Sequence, residues 1–66
     1  MGINEEKICE YLREHPDATS VQIGNALKMW SGTLYLNLMR LERSGRITSA
    51  WANTPVPRLR LYRLAE

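Results

Sequence analysis

The sequence has few of the residues from which catalytic and metal sites are usually built. It contains one cysteine, Cys9, and one histidine, His15, which excludes an internal disulfide and a cysteine–histidine metal cluster. It has no Gly-rich phosphate loop, no evident pair of catalytic carboxylates, and no nucleophile–histidine set that so small a domain could assemble. We therefore expect a protein that is not an enzyme and uses no metal or cofactor.

Long apolar runs are also missing. No stretch approaches the roughly 18 apolar residues of a membrane helix, and we expect neither a signal peptide nor a membrane partner. Apolar residues nevertheless make up 44% of the chain, enough for a core and too many for a disordered segment. With 66 residues, near the lower limit for folding on one core, the sequence predicts a single soluble domain over 1–66.

Charges of opposite sign are separated along the chain, although the net charge is only +2. Residues 1–17 carry two basic and five acidic side chains, a net charge of −3, whereas residues 18–66 carry seven basic and two acidic, a net charge of +5. One end therefore repels a polyanion and the other attracts it, which orients a protein on nucleic acid as well as binding it. Uneven charge is also common in small proteins, so this feature alone decides nothing.

Two helices are predicted in the first half. Apolar residues at helical spacing, Ile8, Tyr11 and Leu12, predict a helix over about 4–14 that ends before Pro16. The segment from Thr19 to Gln22 fits a capping box and predicts a second helix that ends near residue 28. Val21 or Ile23, with Ala26 and Leu27, is expected to form its buried side, and Gly24 to be the small residue where the next helix crosses. Trp30 is expected either to cover the junction between the two helices or to face solvent as a contact residue.

A third helix is predicted over about 31–44, with Ser31 as its N-cap and Gly45 as a left-handed terminator. Leu34, Leu38 and Leu41 recur at core spacing. The opposite arc is predicted to hold side chains that suit base edges and phosphates in a DNA groove: Thr33, Leu36, Asn37, Arg40 and, one turn later, Arg43 or Ser44. An ordinary solvated helix face would carry the same residue types. The basic segment that follows the helix favours a DNA-binding face over a solvated one.

That segment predicts a β-hairpin with a basic return strand. Strands are expected over about 46–52 and 58–64, joined by a loop that Pro55 and Pro57 stiffen, and Arg58 and Arg60 lie along this wing. The face toward the helices is expected to carry Ile47, Trp51, Tyr62 and Leu64. Leu59 and Leu61 fall on the outer face, where they would pack under a chain terminus or form a contact for a second copy or another protein.

Three helices followed by a two-stranded hairpin wing make an α+β winged helix-turn-helix. The sequence thus predicts sequence-specific binding to double-stranded DNA, with the helix over about 31–44 in the major groove and the wing over about 52–60 on the flanking backbone or minor groove. The alternative is a winged-helix protein-interaction module that uses the wing and the Leu59/Leu61 face. Positive charge on the third helix and the wing favours DNA.

A longer pattern covers about half of the chain. It has the form GTLYxxLxRLExxGxI, then a Trp, a basic tip and YxL, and it is matched by Gly32, Thr33, Leu34, Tyr35, Leu38, Arg40, Leu41, Glu42, Gly45, Ile47, Trp51, Tyr62 and Leu64. In this pattern the chain resembles the winged-helix domain of PadR-type transcriptional regulators. The resemblance implies a cytoplasmic, nucleoid-associated regulator of bacterial or phage type. By motif position it implies phosphate contacts from Ser31, Thr33 and Tyr35 beside the wing arginines.

Two departures limit what this resemblance carries over. The PadR family normally has a proline where this chain has Leu36, and the matched residues include no counterpart of the family's C-terminal helices, which dimerise and sense ligands. We therefore expect no small-molecule effector. A single winged helix has a small footprint, so useful affinity would need a homodimer, a tandem site or a partner protein, with Leu59 and Leu61 as candidate contacts.

A second resemblance lies in the wing. Thr54-Pro55-Val56-Pro57 is similar to the proline-bearing wing of Z-alpha domains, winged helices that recognise left-handed nucleic acid. Those domains depend on an Asn and a Tyr four residues apart on the third helix. Aligned on Leu41 and Gly45, the two positions hold Tyr35 and Met39 instead. Because that pair is absent, the sequence favours the PadR resemblance.

Overall fold

The structure is a computed structural model that describes residues 2–52 and 59–65. Its elements are, in chain order, α1 (Ile3–Glu14), β1 (Ala18–Thr19), α2 (Ser20–Leu27), α3 (Ser31–Arg43), β2 (Ile47–Trp51) and β3 (Arg60–Leu64). The three helices and the two hairpin strands are the predicted ones, with bounds within two residues of those expected. None of the described helices is both long and apolar enough to cross a membrane.

The sheet has one strand more than the predicted hairpin. The strand order is β1-β3-β2, and both pairs of neighbouring strands are antiparallel. The additional strand β1 joins the edge of β3, where Ala18 pairs with Tyr62 and Thr19 pairs with Leu61. Asp17 turns the chain into β1 with a φ of 63°, a left-handed conformation that Asp tolerates better than most residues. Two residues are too few to show strand alternation, so sequence periodicity could not predict this strand.

The capping box at the start of α2 is confirmed. Thr19 Oγ1 accepts a hydrogen bond from the Gln22 backbone N–H at 3.2 Å, and Gln22 Oε1 accepts one from the Thr19 N–H at 2.9 Å. The close crossing at Gly24 is confirmed as well, because a Cβ there would lie 3.2 Å from Leu34 Cδ2. Local hydrogen bonding and one small residue thus set how α2 meets α3.

The end of α3 turns the chain toward the sheet as expected. Gly45 has a φ of +80°, its N–H donates to Glu42 O at 3.1 Å, and the Arg46 N–H donates to Leu41 O at 2.9 Å. This pair of bonds is a Schellman motif, in which glycine takes the left-handed position without steric cost. The motif directs β2 back along α3 and creates the space between helix and hairpin that the next section describes.

One apolar core joins all the helices to the sheet. Leu34, Leu38 and Leu41 of α3 are buried as predicted, and each fully buried side chain of this size contributes about 1.5–3 kcal/mol relative to exposure. The other buried apolar residues are Ile8, Cys9, Leu12, Ala18, Ile23, Ile47 and Tyr62.

Three side chains expected to pack against the helices are exposed. Ala26 is exposed on α2, and Trp30 is 85% exposed, because Met29 instead packs against the core near the α2–α3 junction. Trp51 lies on the predicted face of the sheet, with Ile47 and Tyr62, but it is 54% exposed at the far end of β2, opposite Arg60. Trp30 also replaces Ser31 at the N-cap of α3, with no side-chain capping bond.

Candidate nucleic-acid interface

A concave surface separates α3 from the hairpin. We call it the α3–β3 groove; it has a volume of about 480 Å³ and is lined by Tyr35, Leu38, Met39, Glu42, Arg43, Arg60 and Tyr62. Five of these residues belong to α3 and two to β3. Alternation along β3 places Arg60 and Tyr62 on the same face of the sheet, and the helical repeat places 35, 39, 42 and 43 beside the buried stripe.

A chain of polar contacts crosses this groove from helix to hairpin. Ser49 Oγ, on β2, donates to Glu42 Oε2 of α3 at 2.7 Å, and Arg60 Nε of β3 donates to Ser49 Oγ at 2.9 Å. Arg60 Nη2 lies 3.7 Å from the same Glu42 oxygen, and the guanidinium lies 5.4 Å from the Trp51 ring centroid. We call Glu42, Ser49, Trp51 and Arg60 the Arg60 network.

Register explains why these four residues meet. In the β2–β3 ladder Ser49 is opposite Tyr62 and Trp51 is opposite Arg60. The three strand residues of the network, Ser49, Trp51 and Arg60, therefore place their side chains on one face of the sheet. Glu42 is in the last turn of α3, which packs over that face. Three successive elements, α3, β2 and β3, thereby supply one polar cluster on the groove wall.

The groove combines positive charge with an aromatic floor. Arg43 and Arg60 supply two guanidinium groups, and Glu42 supplies one carboxylate. Burial raises the pKa of the Tyr62 phenol, while Arg60 opposes that rise, so the phenol stays protonated at neutral pH. Tyr35 stands at the other edge, and its hydroxyl lies 3.0 Å from Ser20 Oγ at the start of α2.

The groove brings together three of the sequence-predicted site residues, Tyr35, Arg43 and Arg60. Four others are exposed on α3 outside the groove lining: Ser31, Thr33, Leu36 and Arg40. Arg58, Pro55 and Pro57 lie outside the described residues. On the outer face of the hairpin, Leu59 is 40% exposed and Leu61 is half-buried.

The placement of Asn37 on the exposed arc is wrong. It is only 7% exposed, and its Nδ2 donates to Thr33 O at 2.7 Å. Asn37 follows Leu34 by three residues and precedes Leu41 by four, and both spacings put it within the buried stripe. This spacing alone predicts that Asn37 is buried, but the prediction placed it on the exposed arc because asparagine is polar. A side chain so placed cannot reach a base edge, so we withdraw its base-reading role.

Because Asn37 belongs to the buried stripe, the exposed face of α3 is rotated relative to the predicted one, and this rotation explains which groove residues the sequence analysis missed. Met39 and Glu42 lie on the side of α3 that faces the hairpin, whereas the predicted arc was centred near Leu36 and Arg40. Centring the exposed face opposite the whole stripe, Asn37 included, would have found Met39. No local signal pointed to Glu42, because its role depends on Ser49 and Arg60 across the fold.

Another arginine of β3 makes a quite different contact. Arg63 Nε donates to Asp17 Oδ1 at 2.9 Å and its Nη2 donates to Asp17 Oδ2 at 2.7 Å, a bidentate ion pair. Hydrogen bonding between the two lowers the pKa of the Asp17 carboxyl and raises that of the Arg63 guanidinium. This pair lies away from the groove lining and joins the turn before β1 to β3.

Comparison with solved structures agrees with this geometry. The chain is similar to the Zalpha domain of PKZ in complex with ds(CG)6, with a TM-score of 0.81 and 27% identity over 94% of each chain. It is similarly close to the apo Zalpha domain of zebrafish PKZ, with a TM-score of 0.82 and 27% identity over 94% of this chain and 91% of that one. The chain has a winged-helix fold.

The winged-helix prediction is thereby confirmed. No protein-family model and no curated protein sequence matches the chain. The two similar winged helices are Zalpha domains, so the PadR resemblance finds no support in these comparisons.

Proposed function

We propose that this winged helix binds double-stranded DNA through the α3–β3 groove and the basic residues beside it. The observation that carries the proposal is the convergence of Arg43 and Arg60 on one concave surface between the recognition helix and the base of the wing. The fold that forms this surface is similar over 94% of the chain to a Zalpha domain in complex with ds(CG)6.

Electrostatics supply most of the affinity in this mechanism. Phosphate contacts by arginine release counterions and set the register of a protein on the duplex without reading its sequence. Arg43 and Arg60 serve this role from the two sides of the groove, with Arg40 exposed on the adjoining face of α3. The acidic residues of α1, including Glu6, Glu10 and Glu14, are exposed and favour the orientation that turns α1 away from DNA.

Base contacts come from the exposed face of α3. Leu36 and Met39 present apolar surface that suits a thymine methyl or a sugar, and Arg40 can take a guanine edge. Thr33 can hydrogen-bond a base or a phosphate. Without Asn37 this face has fewer donors and acceptors than the sequence suggested, so phosphate contacts weigh more than base readout.

A finer proposal follows from the PadR-like pattern, which includes Gly32, Tyr35, Glu42 and Gly45. It is that DNA binding serves transcription regulation in the cytoplasm of a bacterium or a phage host. A separate proposal, from the lack of catalytic motifs in the sequence, is that the chain is not an enzyme. A PadR-type regulator would prefer one mixed-sequence operator over other duplexes. Selection of duplexes from a random pool tests this finer proposal separately from DNA binding itself.

The first experiment titrates the protein into labelled duplexes at two salt concentrations, about 50 and 200 mM. The probes are ds(CG)6, a mixed-sequence duplex of the same length, and the mixed sequence as a single strand. We expect duplex binding that weakens by at least an order of magnitude between the two salt concentrations. No duplex binding at the lower concentration would refute the proposal.

One observation favours a second candidate function, the protein-interaction module. The exposed surface of α3 carries three large side chains with apolar area, Tyr35, Leu36 and Met39, and Leu59 is exposed on the hairpin. Clusters of exposed apolar side chains, such as the three on α3, are common at protein interfaces. The solution mass, recorded with the titration, tests self-association; a dimer without DNA binding would favour this function.

A further inference from the structure

We propose that Glu42 is a positioning residue that holds Arg60 in its phosphate-binding orientation, so that a carboxylate within the DNA-binding surface strengthens DNA binding. This inference rests on the proposed function. It deepens that function by assigning a role to the one acidic residue among the described residues that line the α3–β3 groove.

The position of Glu42 is unexpected on charge alone. A carboxylate that faces a polyanion repels it, so a groove selected only for positive charge would not contain one. The Glu42 carboxylate makes specific contacts: its Oε2 accepts a 2.7 Å hydrogen bond from Ser49 Oγ and lies 3.7 Å from Arg60 Nη2. Both partners belong to the hairpin, so this carboxylate joins the recognition helix to the base of the wing.

The network restrains Arg60 on several sides. Ser49 Oγ accepts from Nε, Glu42 attracts Nη2, and the Trp51 ring lies 5.4 Å from the guanidinium carbon. An arginine side chain free in solvent samples many rotamers, and ordering it on binding costs conformational entropy. Restraint in the free protein removes part of that cost before DNA arrives.

The restraint leaves the guanidinium able to bind phosphate. Arginine has five N–H donors, and only the Nε–H is used in a hydrogen bond within the network. The 3.7 Å approach of Nη2 to Glu42 is an ion pair too long for a hydrogen bond, so the four N–H groups of the two Nη atoms make no hydrogen bond to the described residues and are available to a phosphate. The Arg60 side chain is also 48% exposed, which gives a phosphate access to it.

The decisive variant is Glu42→Gln, because the two explanations predict opposite signs. If Glu42 only adds negative charge, its neutralisation tightens DNA binding. If it positions Arg60, neutralisation weakens binding by roughly two- to fivefold despite the gain of one positive charge, the range expected for a partly exposed ion pair. The matched control is Glu14→Gln at the end of α1, which changes the net charge equally and lies outside the groove lining; its affinity should stay equal or rise slightly.

Two further variants separate positioning from other effects. Ser49→Ala removes the hydrogen-bond link with no change of charge and should weaken binding in the same direction. In an Arg60→Ala background, Glu42→Gln should no longer weaken binding, since the residue it positions is gone. Tighter binding by Glu42→Gln, or an equal loss with and without Arg60, would overturn the proposal.

A measurement on the free protein keeps the inference testable even if DNA binding itself fails. In a Trp30→Phe background Trp51 is the single tryptophan, so its emission reports on the guanidinium beside it. Glu42→Gln and Arg60→Ala should both shift this emission, with thermal melts to verify folding. If Arg60→Ala shifts the emission and Glu42→Gln leaves it unchanged, positioning is refuted; absence of DNA binding by the unmodified protein refutes the proposed function instead.

Discussion

Arg60 and Arg63 lie three residues apart on β3, and each meets one carboxylate, yet the two contacts differ in kind. Arg63 places two nitrogens on Asp17 at 2.7 and 2.9 Å, so its fork is used within the fold. Among residues 2–52 and 59–65, Arg60 hydrogen-bonds only Ser49 and lies 3.7 Å from Glu42, so most of its donors make no hydrogen bond to that part of the chain. One arginine closes the sheet against the turn before β1, and the other lines the groove.

The difference shows that basic residues in a DNA-binding domain are not equivalent. An odd spacing along a strand sends the two side chains to opposite faces of the sheet. The residues that each arginine contacts on its face then decide whether its guanidinium stabilises the protein or remains available to a ligand. Composition counts both as one positive charge, and only their surroundings separate them.

The largest expected effect compares Arg60→Ala with Arg63→Ala in DNA binding. Both remove one positive charge, but Arg60→Ala should weaken duplex binding about tenfold and reduce the salt slope by about 0.9, because it removes a phosphate contact. Arg63→Ala should change affinity by less than about twofold, since its charge acts only through screened solvent. Titrations at several salt concentrations check this. Equal losses for both variants would break the comparison.

The comparison extends to α3 through Asn37, whose polar group is also used within the fold. Asn37→Ala should lower the free energy of unfolding by about 1 kcal/mol, the typical worth of one intramolecular hydrogen bond, as measured by urea denaturation. Met39→Ala, two residues on and half-exposed, is the matched control and should change stability by less than about 0.5 kcal/mol. A change in base preference caused by Asn37→Ala would restore its base-reading role.

Lysine substitution tests the geometry of the two arginines rather than their charge. Arg63→Lys keeps the charge but cannot form the bidentate pair with Asp17, so it should lower the thermal unfolding midpoint. Arg60→Lys should leave the midpoint nearly unchanged, because within the part of the chain that the structure describes Arg60 makes a single hydrogen bond, to Ser49. Paired thermal melts measure both. A larger fall for Arg60→Lys would reverse the assignment of structural and binding roles.

The smallest expected effect concerns the pH dependence of the Asp17–Arg63 pair. The folded-state pKa of Asp17 is lower than its ordinary value of 3.8, so the pair stabilises the protein above that pH and is lost as pH falls through the folded-state value. Asp17→Asn should therefore be slightly less stable than the unmodified protein at neutral pH. The gap should close as the pH falls below 3.8. A gap that persists in acid would show that the charge of Asp17 does not cause the difference, since Asn accepts the same left-handed backbone conformation.

Local signals were sufficient for the helices and the hairpin. Apolar spacing predicted α1 and α3, a capping box predicted the first residue of α2, and Gly45 predicted the end of α3; each depends on residues within one or two turns. The two-residue β1 escaped prediction because its strand character comes from pairing with β3, more than 40 residues away in sequence. Trp30 and Trp51 are exposed although large apolar residues are usually buried, a tendency that packing overrode at both positions.

For the site, the sequence by itself determined that basic residues follow the third helix, and it thereby predicted a polyanionic ligand, because charge and helix periodicity are local properties. Only the tertiary structure decided which side chains are free to act. Asn37 turned inward because the stripe of α3 is wider than its leucines, and Arg60 entered the groove because the ladder register set it opposite Trp51. Contacts between α3, β2 and β3 depend on three-dimensional packing, which no local pattern encodes.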